Sequence, residues 1–146
     1  MYQTVVALIC LNNEILFFQR DNNATIPDPG KWQLPGGHIE ENEEPLVAIQ
    51  RELVEEVGHC PSGLSFIASR KTDKVETFVY WSYVNEDEKN KFTLGADEGQ
   101  SLEFMSIKKA LTLDLTNPVR FYLERYQDMI NGHLTAKTIP KDQDFI

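Results

Sequence analysis

Gly37-His38-Ile39-Glu40-Glu41-Asn42-Glu43-Glu44-Pro45-Leu46-Val47-Ala48-Ile49-Gln50-Arg51-Glu52-Leu53-Val54-Glu55-Glu56-Val57-Gly58 is the stretch from which the rest of the chain can be read. Its second half predicts a helix. Leu46, Ile49, Leu53 and Val57 recur at three- and four-residue steps, Pro45 suits a first helical position, and Gly58 suits the left-handed residue just past the end. At about 100° per residue, Glu52, Glu55 and Glu56 fall within one narrow arc beside the apolar stripe. Like charges at this spacing repel by a few tenths of a kcal/mol. A hard divalent cation that prefers oxygen ligands turns that repulsion into attraction, and Mg²⁺ is the usual ion where waters and substrate phosphates complete the shell.

Length and composition bound the possibilities. At 146 residues, with an apolar fraction of 41% and a charged fraction of 25%, the chain reads as one domain over 1–146, able to bury roughly 70% of its unfolded surface. No apolar run approaches the ~20 residues of a membrane span, and Met1-Tyr2-Gln3-Thr4 lacks a basic leader, so no membrane association and a cytoplasmic location are expected. Cys10 and Cys60 lie at no metal-type spacing and read as reduced, packed thiols. A net charge of -9 opposes binding of a nucleic-acid polymer. It is compatible with small phosphorylated substrates, because a divalent cation can bridge an acidic site to an anion.

The flanking elements follow in order. Thr4 to Cys10 is a continuous β-branched apolar run, as expected of a strand covered on both faces. Leu11-Asn12-Asn13-Glu14 predicts a tight hairpin turn, and Glu14 to Arg20 the returning strand. Asp21 to Gly30 is a loop and a candidate pocket wall. Trp32 is read as a core residue rather than a base-stacking one; Arg20 is open between a phosphate contact and a solvated strand end. Ser62 to Ser69 and Glu76 to Tyr83 predict two further strands, the second aromatic and central, with a polar turn at Arg70 to Lys74. Asn85 to Gln100 reads as a charged loop with a short strand near Phe92 to Leu94, and Leu102 to Ile107 as a strand. Asn117-Pro118 opens a last helix that Asn131-Gly132 closes, leaving residues 134–146 as a tail free to move or to rest on a partner subunit. Strands interleaved with two helices predict an α/β/α sandwich with a mixed β-sheet.

The quoted stretch resembles a Nudix box: Gly37, five residues, Glu43, seven residues, Arg51-Glu52, aliphatic Leu53, one residue, Glu55-Glu56, one residue, Gly58. The final aliphatic slot of the family pattern departs, holding His59. The preceding Pro29-Gly30-Lys31-Trp32-Gln33-Leu34-Pro35-Gly36 resembles the family's lead-in. The resemblance implies hydrolysis of a pyrophosphate bond in a nucleoside diphosphate linked to another moiety, with Mg²⁺ or Mn²⁺. By position it implies Glu52 and Glu56 as direct metal ligands, Glu55 as a further ligand, the Gly36 carbonyl as a backbone ligand and Glu98, with Asp97 its rival, as an acidic ligand from outside the box. Glu52 is the candidate base, and Glu43 with Arg51 is an orienting ion pair suited to bidentate geometry. His38 and His59 read as solvated. A homodimer is common in the family.

Substrate markers are sparse. Lys74, Val75 and Glu76 occupy the region where the proline of ADP-ribose hydrolases is expected, and Tyr80 and Tyr83 are the nearest to the tyrosine of diadenosine polyphosphate hydrolases. No NADH-type or coenzyme A-type motif is visible. What remains is a pyrophosphohydrolase of nucleoside di- or triphosphate derivatives serving nucleotide-pool housekeeping. The alternatives are a nucleotide-sugar hydrolase and a non-catalytic nucleotide-sensing module.

Overall fold

The computed structural model describes residues 1–95 and 99–145. The order is β1 (Tyr2–Leu11), β2 (Glu14–Gln19), β3 (Trp32–Gln33), β4 (Gly36–His38), α1 (Pro45–Val57), β5 (Ser65–Lys71), β6 (Val75–Tyr83), α2 (Glu86–Lys89), β7 (Ser101–Met105), α3 (Ile107–Ala110) and α4 (Asn117–Ala136), followed by a 3-10 turn at Asp142–Asp144.

Among these residues the strands form one mixed sheet in the order β3-β2-β1-β6-β5, with β4 added to β1 and β7 to β2. β1 and β6 run parallel, Val6 opposite Val79, and the other pairings are antiparallel. The apolar run of β1 is explained by its two covered faces: Val5, Ala7, Ile9 and Leu11 pack toward Ile49, Leu53 and Val57 of α1, while Leu8 and Cys10 pack toward Leu123, Ile130 and Leu134 of α4. The expected α/β/α layering is therefore present. Asn12 adopts the left-handed conformation that the β1–β2 turn requires (φ 55°).

The helix α1 begins at Pro45 and ends at Gly58, which is left-handed (φ 74°) and returns its N–H to the Val54 carbonyl. Its buried positions are Ala48, Ile49, Leu53, Glu56 and Val57. Leu46, read as part of the apolar stripe, is instead 45% exposed, and Glu56 lies inside the buried face.

Other expectations are corrected. No strand forms at Phe92 to Leu94. The Thr93 N–H instead donates to the Val57 carbonyl (2.9 Å), so this segment serves the end of α1, while Asn85 caps α2 through Glu88 N (2.9 Å). Ile107 leaves the strand to open α3, whose first turn is capped by the Ser106 hydroxyl (3.1 Å). The last helix does not stop at Asn131-Gly132 but runs to Ala136, closed by left-handed Lys137. The cost of an interior glycine, about 1 kcal/mol, is outweighed because Ile130 and Leu134 continue the buried stripe of Val119, Leu123 and Tyr126.

Residues 137–145, expected to be a tail, pack back onto the sheet. The Tyr83 hydroxyl donates to the Thr138 carbonyl (2.6 Å), the Arg70 guanidinium grips Asp142 (2.6 Å) and the Phe145 carbonyl (3.0 Å), and the Phe145 ring is buried against Tyr126 (5.1 Å).

The end of α1 supplies a test. A Cβ at Gly58 would lie 2.5 Å from Thr93 Oγ1 and 2.8 Å from the Thr93 carbonyl oxygen, on a backbone that L residues resist. Gly58→Ala is expected to destabilise the protein by about 1–3 kcal/mol in urea unfolding; a loss under about 0.5 kcal/mol would show that the Thr93 contact yields easily.

Candidate functional site

The site is built where β4 passes between β1 and α1. Gly36 pairs with Val6, and a Cβ on it would stand 2.1 Å from the Val5 carbonyl oxygen, so only glycine allows the strand this close. Its N–H donates to Glu56 Oε1 (3.0 Å), which satisfies a carboxylate that is 6% exposed. At Gly37 an added Cβ would lie 2.5 Å from the Glu52 carboxyl carbon. The two glycines leave room for two box carboxylates against the strand.

Arg51 organises the loop that enters the helix. Its Nε and Nη2 donate to the two oxygens of Glu43 (2.8 and 2.9 Å), forming a bidentate pair, and Nη2 also reaches the His38 carbonyl (3.0 Å). Its Nη1 reaches Glu52 (2.9 Å) and Glu55 (3.3 Å). Glu43 Oε1 accepts in turn from the Glu40 N–H (3.0 Å), so one guanidinium ties loop, strand and helix together. This pairing with Arg51, reinforced by the Glu40 amide, pulls the Glu43 carboxyl down to about 2. The Arg51 guanidinium is pushed upward by Glu43 first and Glu52 second. Repulsion among the clustered glutamates is thus offset within the box itself.

Glu52 and Glu56 face β4, with the Glu52 side chain 15% exposed. Glu55 is 51% exposed and turned toward Arg51. The arc drawn on the helix therefore runs from the buried face out to solvent. Among the described residues no three His, Cys, Asp or Glu side chains are gathered as a ready metal site. The donors are nevertheless all oxygens, and the glycine cradle that a Cβ would fill keeps Glu56 on Gly36 and Glu52 against Gly37; this donor set fits a hard divalent cation. Glu98, the expected extra ligand, and its rival Asp97 lie outside the described residues.

These groups open on a cavity of about 1090 Å³ whose lining includes Gly36, Gly37, Arg51, Glu52 and Glu56, ample for a nucleotide-sized ligand. The loop after β2 contributes Arg20, Asp21, Ile26 and Asp28 as a wall. Arg20 is held by Gln33 (3.3 Å) and the Pro27 carbonyl (3.0 Å). His38 lines the cavity, whereas His59 pairs with Glu88 (2.9 Å) and meets the Phe92 ring (5.1 Å), which explains how a polar residue occupies an aliphatic slot. Trp32 is half-buried and packs against the core beside α4. Cys10 is buried and its thiol pushed up by that burial; it has no part in the site. Sequence reading missed Thr4, Thr77, Tyr122 and Phe145, which also line the cavity. They come from separated elements, and nothing in their local sequence marks them.

Comparison with known proteins adds three findings. A family model described as NUDIX domain matches residues 1–126. An RNA pyrophosphohydrolase of Francisella tularensis subsp. mediasiatica is 38% identical over 72 residues, 48% of this chain and 43% of that protein; the match spans less than half the length of such curated relatives. Among solved structures, a MutT protein from Methanosarcina mazei is 27% identical (TM-score 0.67, covering 88% of this chain and 94% of that one). The NUDIX domain of Shewanella oneidensis NrtR, complexed with ADP ribose, shares the fold at 18% identity (TM-score 0.71, covering 88% and 87%).

The Glu43–Arg51 pair carries a pH signature. A carboxyl depressed in the folded protein stabilises it above the unfolded value near 4.5 and loses that contribution as pH falls toward about 2. Thermal melts from pH 7 to 2 are expected to show an acid limb in this window that Glu43→Gln flattens, with a lower melting temperature at pH 7; identical profiles for both proteins would show that the pair does not hold the loop.

Proposed function

Since the chain belongs to the Nudix family, we propose that it is a Mg²⁺- or Mn²⁺-dependent pyrophosphohydrolase of nucleoside di- or triphosphate derivatives. The observation that carries this reading is that the box carboxylates Glu52 and Glu56 are held on the glycines of β4 at the wall of a cavity large enough for a nucleotide. A sensing module needs the cavity and not the carboxylates. This chain keeps all of them, together with the arginine that orients them.

In this reading Glu52, Glu56, Glu55 and the Gly36 carbonyl hold the cation, which neutralises phosphate charge and acidifies water when bound. The rest falls to the chain's own groups. The Arg51–Glu43 pair fixes the height and rotation of α1 against β4, so that the carboxylates meet the substrate in one arrangement. Glu52 takes a proton from the attacking water. The water oxygen bonds to phosphorus, the bridging P–O bond breaks, and the leaving phosphate carries off its electron pair. Arg20, which lines the cavity wall, is the group this reading assigns to a phosphate of the part not attacked.

The curated relative's name, RNA pyrophosphohydrolase, supports cleavage of a pyrophosphate bond, and the acidity of this chain, at -9, favours free nucleotides over a long polymer. Nucleotide-pool housekeeping is the role that follows.

Glu56→Gln preserves the oxygen that accepts from Gly36 while removing the charge. It is expected to leave the melting temperature close to wild type and to lower Mg²⁺-dependent release of phosphate or pyrophosphate on the order of 100-fold or more. Turnover equal to wild type, or wild-type turnover that survives complete chelation of divalent ions, would sink this assignment. A panel of nucleoside triphosphates, nucleotide sugars and dinucleoside polyphosphates ranks the substrates.

A further inference from the structure

The segment after α4 is held differently from the helix that carries it. α4 is fixed by an apolar stripe of Val119, Leu123, Tyr126, Ile130 and Leu134. It stops at Lys137, whose left-handed backbone (φ 57°) turns the chain off the helix axis. In 137–145 that follows, only Pro140 and Phe145 are buried. The remaining holds are polar. The Tyr83 hydroxyl donates to the Thr138 carbonyl (2.6 Å), Arg70 donates to Asp142 Oδ1 (2.6 Å) and to the Phe145 carbonyl (3.0 Å), and the Ser69 N–H donates to the same Asp142 oxygen (3.2 Å). The His133 ring spans Thr138 Oγ1 (2.7 Å) and Asp144 Oδ2 (3.3 Å).

Most of these contacts face water. The Asp142 side chain is 64% exposed, and an ion pair in such a setting adds little on its own. A segment with few buried contacts and solvent-facing hydrogen bonds opens at a lower free energy than the core beside it. Arg70 is the group on which the holds converge, because its guanidinium also lies over the Phe145 ring (6.0 Å). The Phe145 ring is in turn part of the cavity wall, with Tyr122, Val79 and Ile130. Asp142 covers an N–H of β5, the strand at the end of the sheet. The box carboxylates Glu52 and Glu56 take their hold elsewhere, from Arg51 and β4.

We propose that residues 137–145 are a strap, hinged at Lys137 and latched by Arg70, that opens as a unit while α4 stays packed and so gives the cavity a second mouth at its Phe145 wall. The proposal goes beyond the hydrolytic reading and does not depend on it. Release of Asp142 and of the Phe145 carbonyl takes both of the Arg70 holds away together, so the strap has one latch rather than a series of independent contacts. Withdrawal of the Phe145 ring then uncovers apolar lining on β6 and α4 and leaves the Ser69 N–H without its acceptor. Arg suits the latch where Lys would not, since its fork reaches a carboxylate and a carbonyl at once.

The test follows single amides of the full chain by NMR-detected hydrogen exchange. The Thr138, Lys141, Asp144 and Phe145 amides are all hydrogen-bonded within or at the foot of the strap, and the Ser69 amide reports from the strand it covers. In wild type these amides are expected to share one opening rate, faster than the Leu123 and Ile130 amides of α4 by about 100-fold or more. Arg70→Gln is expected to raise that shared rate about tenfold with Leu123 and Ile130 unchanged, and Arg70→Lys to restore it only in part. Asp142→Asn, at an exposed position that keeps an oxygen for Ser69, is expected to act in the same direction. Binding of the dye 8-anilinonaphthalene sulfonate should rise in step with opening, because the cavity lining is then reached from the strap side. Strap amides that exchange at the α4 rate in wild type, or variants that speed strap and α4 alike, overturn the strap. Faster exchange with no gain in dye binding overturns the second mouth. None of these readouts involves turnover, so an inactive protein that shows them leaves the strap standing and removes only the hydrolytic reading.

Discussion

The site depends on one steric constraint: at Gly36 and Gly37 the chain has no room for a side chain. β1 presses on Gly36 from one side, with the Val5 carbonyl oxygen 2.1 Å from where a Cβ would be, and the Glu52 carboxylate occupies the corresponding place at Gly37. Because the backbone comes so close, its N–H can serve Glu56 directly. Two charged side chains are thereby kept at the inner face of a helix that is otherwise packed on an apolar sheet. A side chain at Gly36 would push β4 off β1, and one at Gly37 would displace the Glu52 carboxylate from β4.

Electrostatics then complete what sterics begins. Glutamates at this density on one helix would repel each other and favour unfolding. Arg51 answers this by donating to Glu43, Glu52 and Glu55 while also gripping the His38 carbonyl. Its fork geometry matters, since a lysine offers a single point of charge and could not satisfy Glu43 bidentately while reaching along the helix. The same contacts leave Glu55 facing the solvent side of the box, so the three acids are not equivalent although they share one turn. Glu56 is buried, Glu52 is shielded and Glu55 is half open.

The cavity joins elements far apart in sequence. Its floor is the parallel pairing of β1 and β6, its charged wall comes from the loop after β2 and from α1, and its neutral wall comes from α4 and the segment after it. Arg70 makes the last of these possible. By accepting no role in the core and spending its donors on Asp142 and Phe145, it converts a polar, Pro- and Lys-containing segment into part of a wall.

The residues by themselves determined the box helix, its proline start and glycine stop, the hairpin between β1 and β2, and the presence of a sheet covered on both faces. Each of these is local: a period, a turn residue or a capping residue reports it without knowledge of the rest. The pairing of Glu43 with Arg51 was legible only through the resemblance to the Nudix box, which implies the pair, and the structure shows it as a bidentate contact. Tertiary structure decided the rest. Asn131-Gly132 is a plausible helix stop until Ile130 and Leu134 are seen packed on the sheet. Phe92 to Leu94 looks like a strand until the Thr93 N–H is found on Val57 instead of a neighbouring strand. That Glu56 is buried, that Tyr122 and Phe145 share a cavity with Glu52, and that a polar segment is held by Arg70 are contacts across long separations in the chain. Such contacts are set by which faces the sheet leaves open, and no local pattern of residues encodes them.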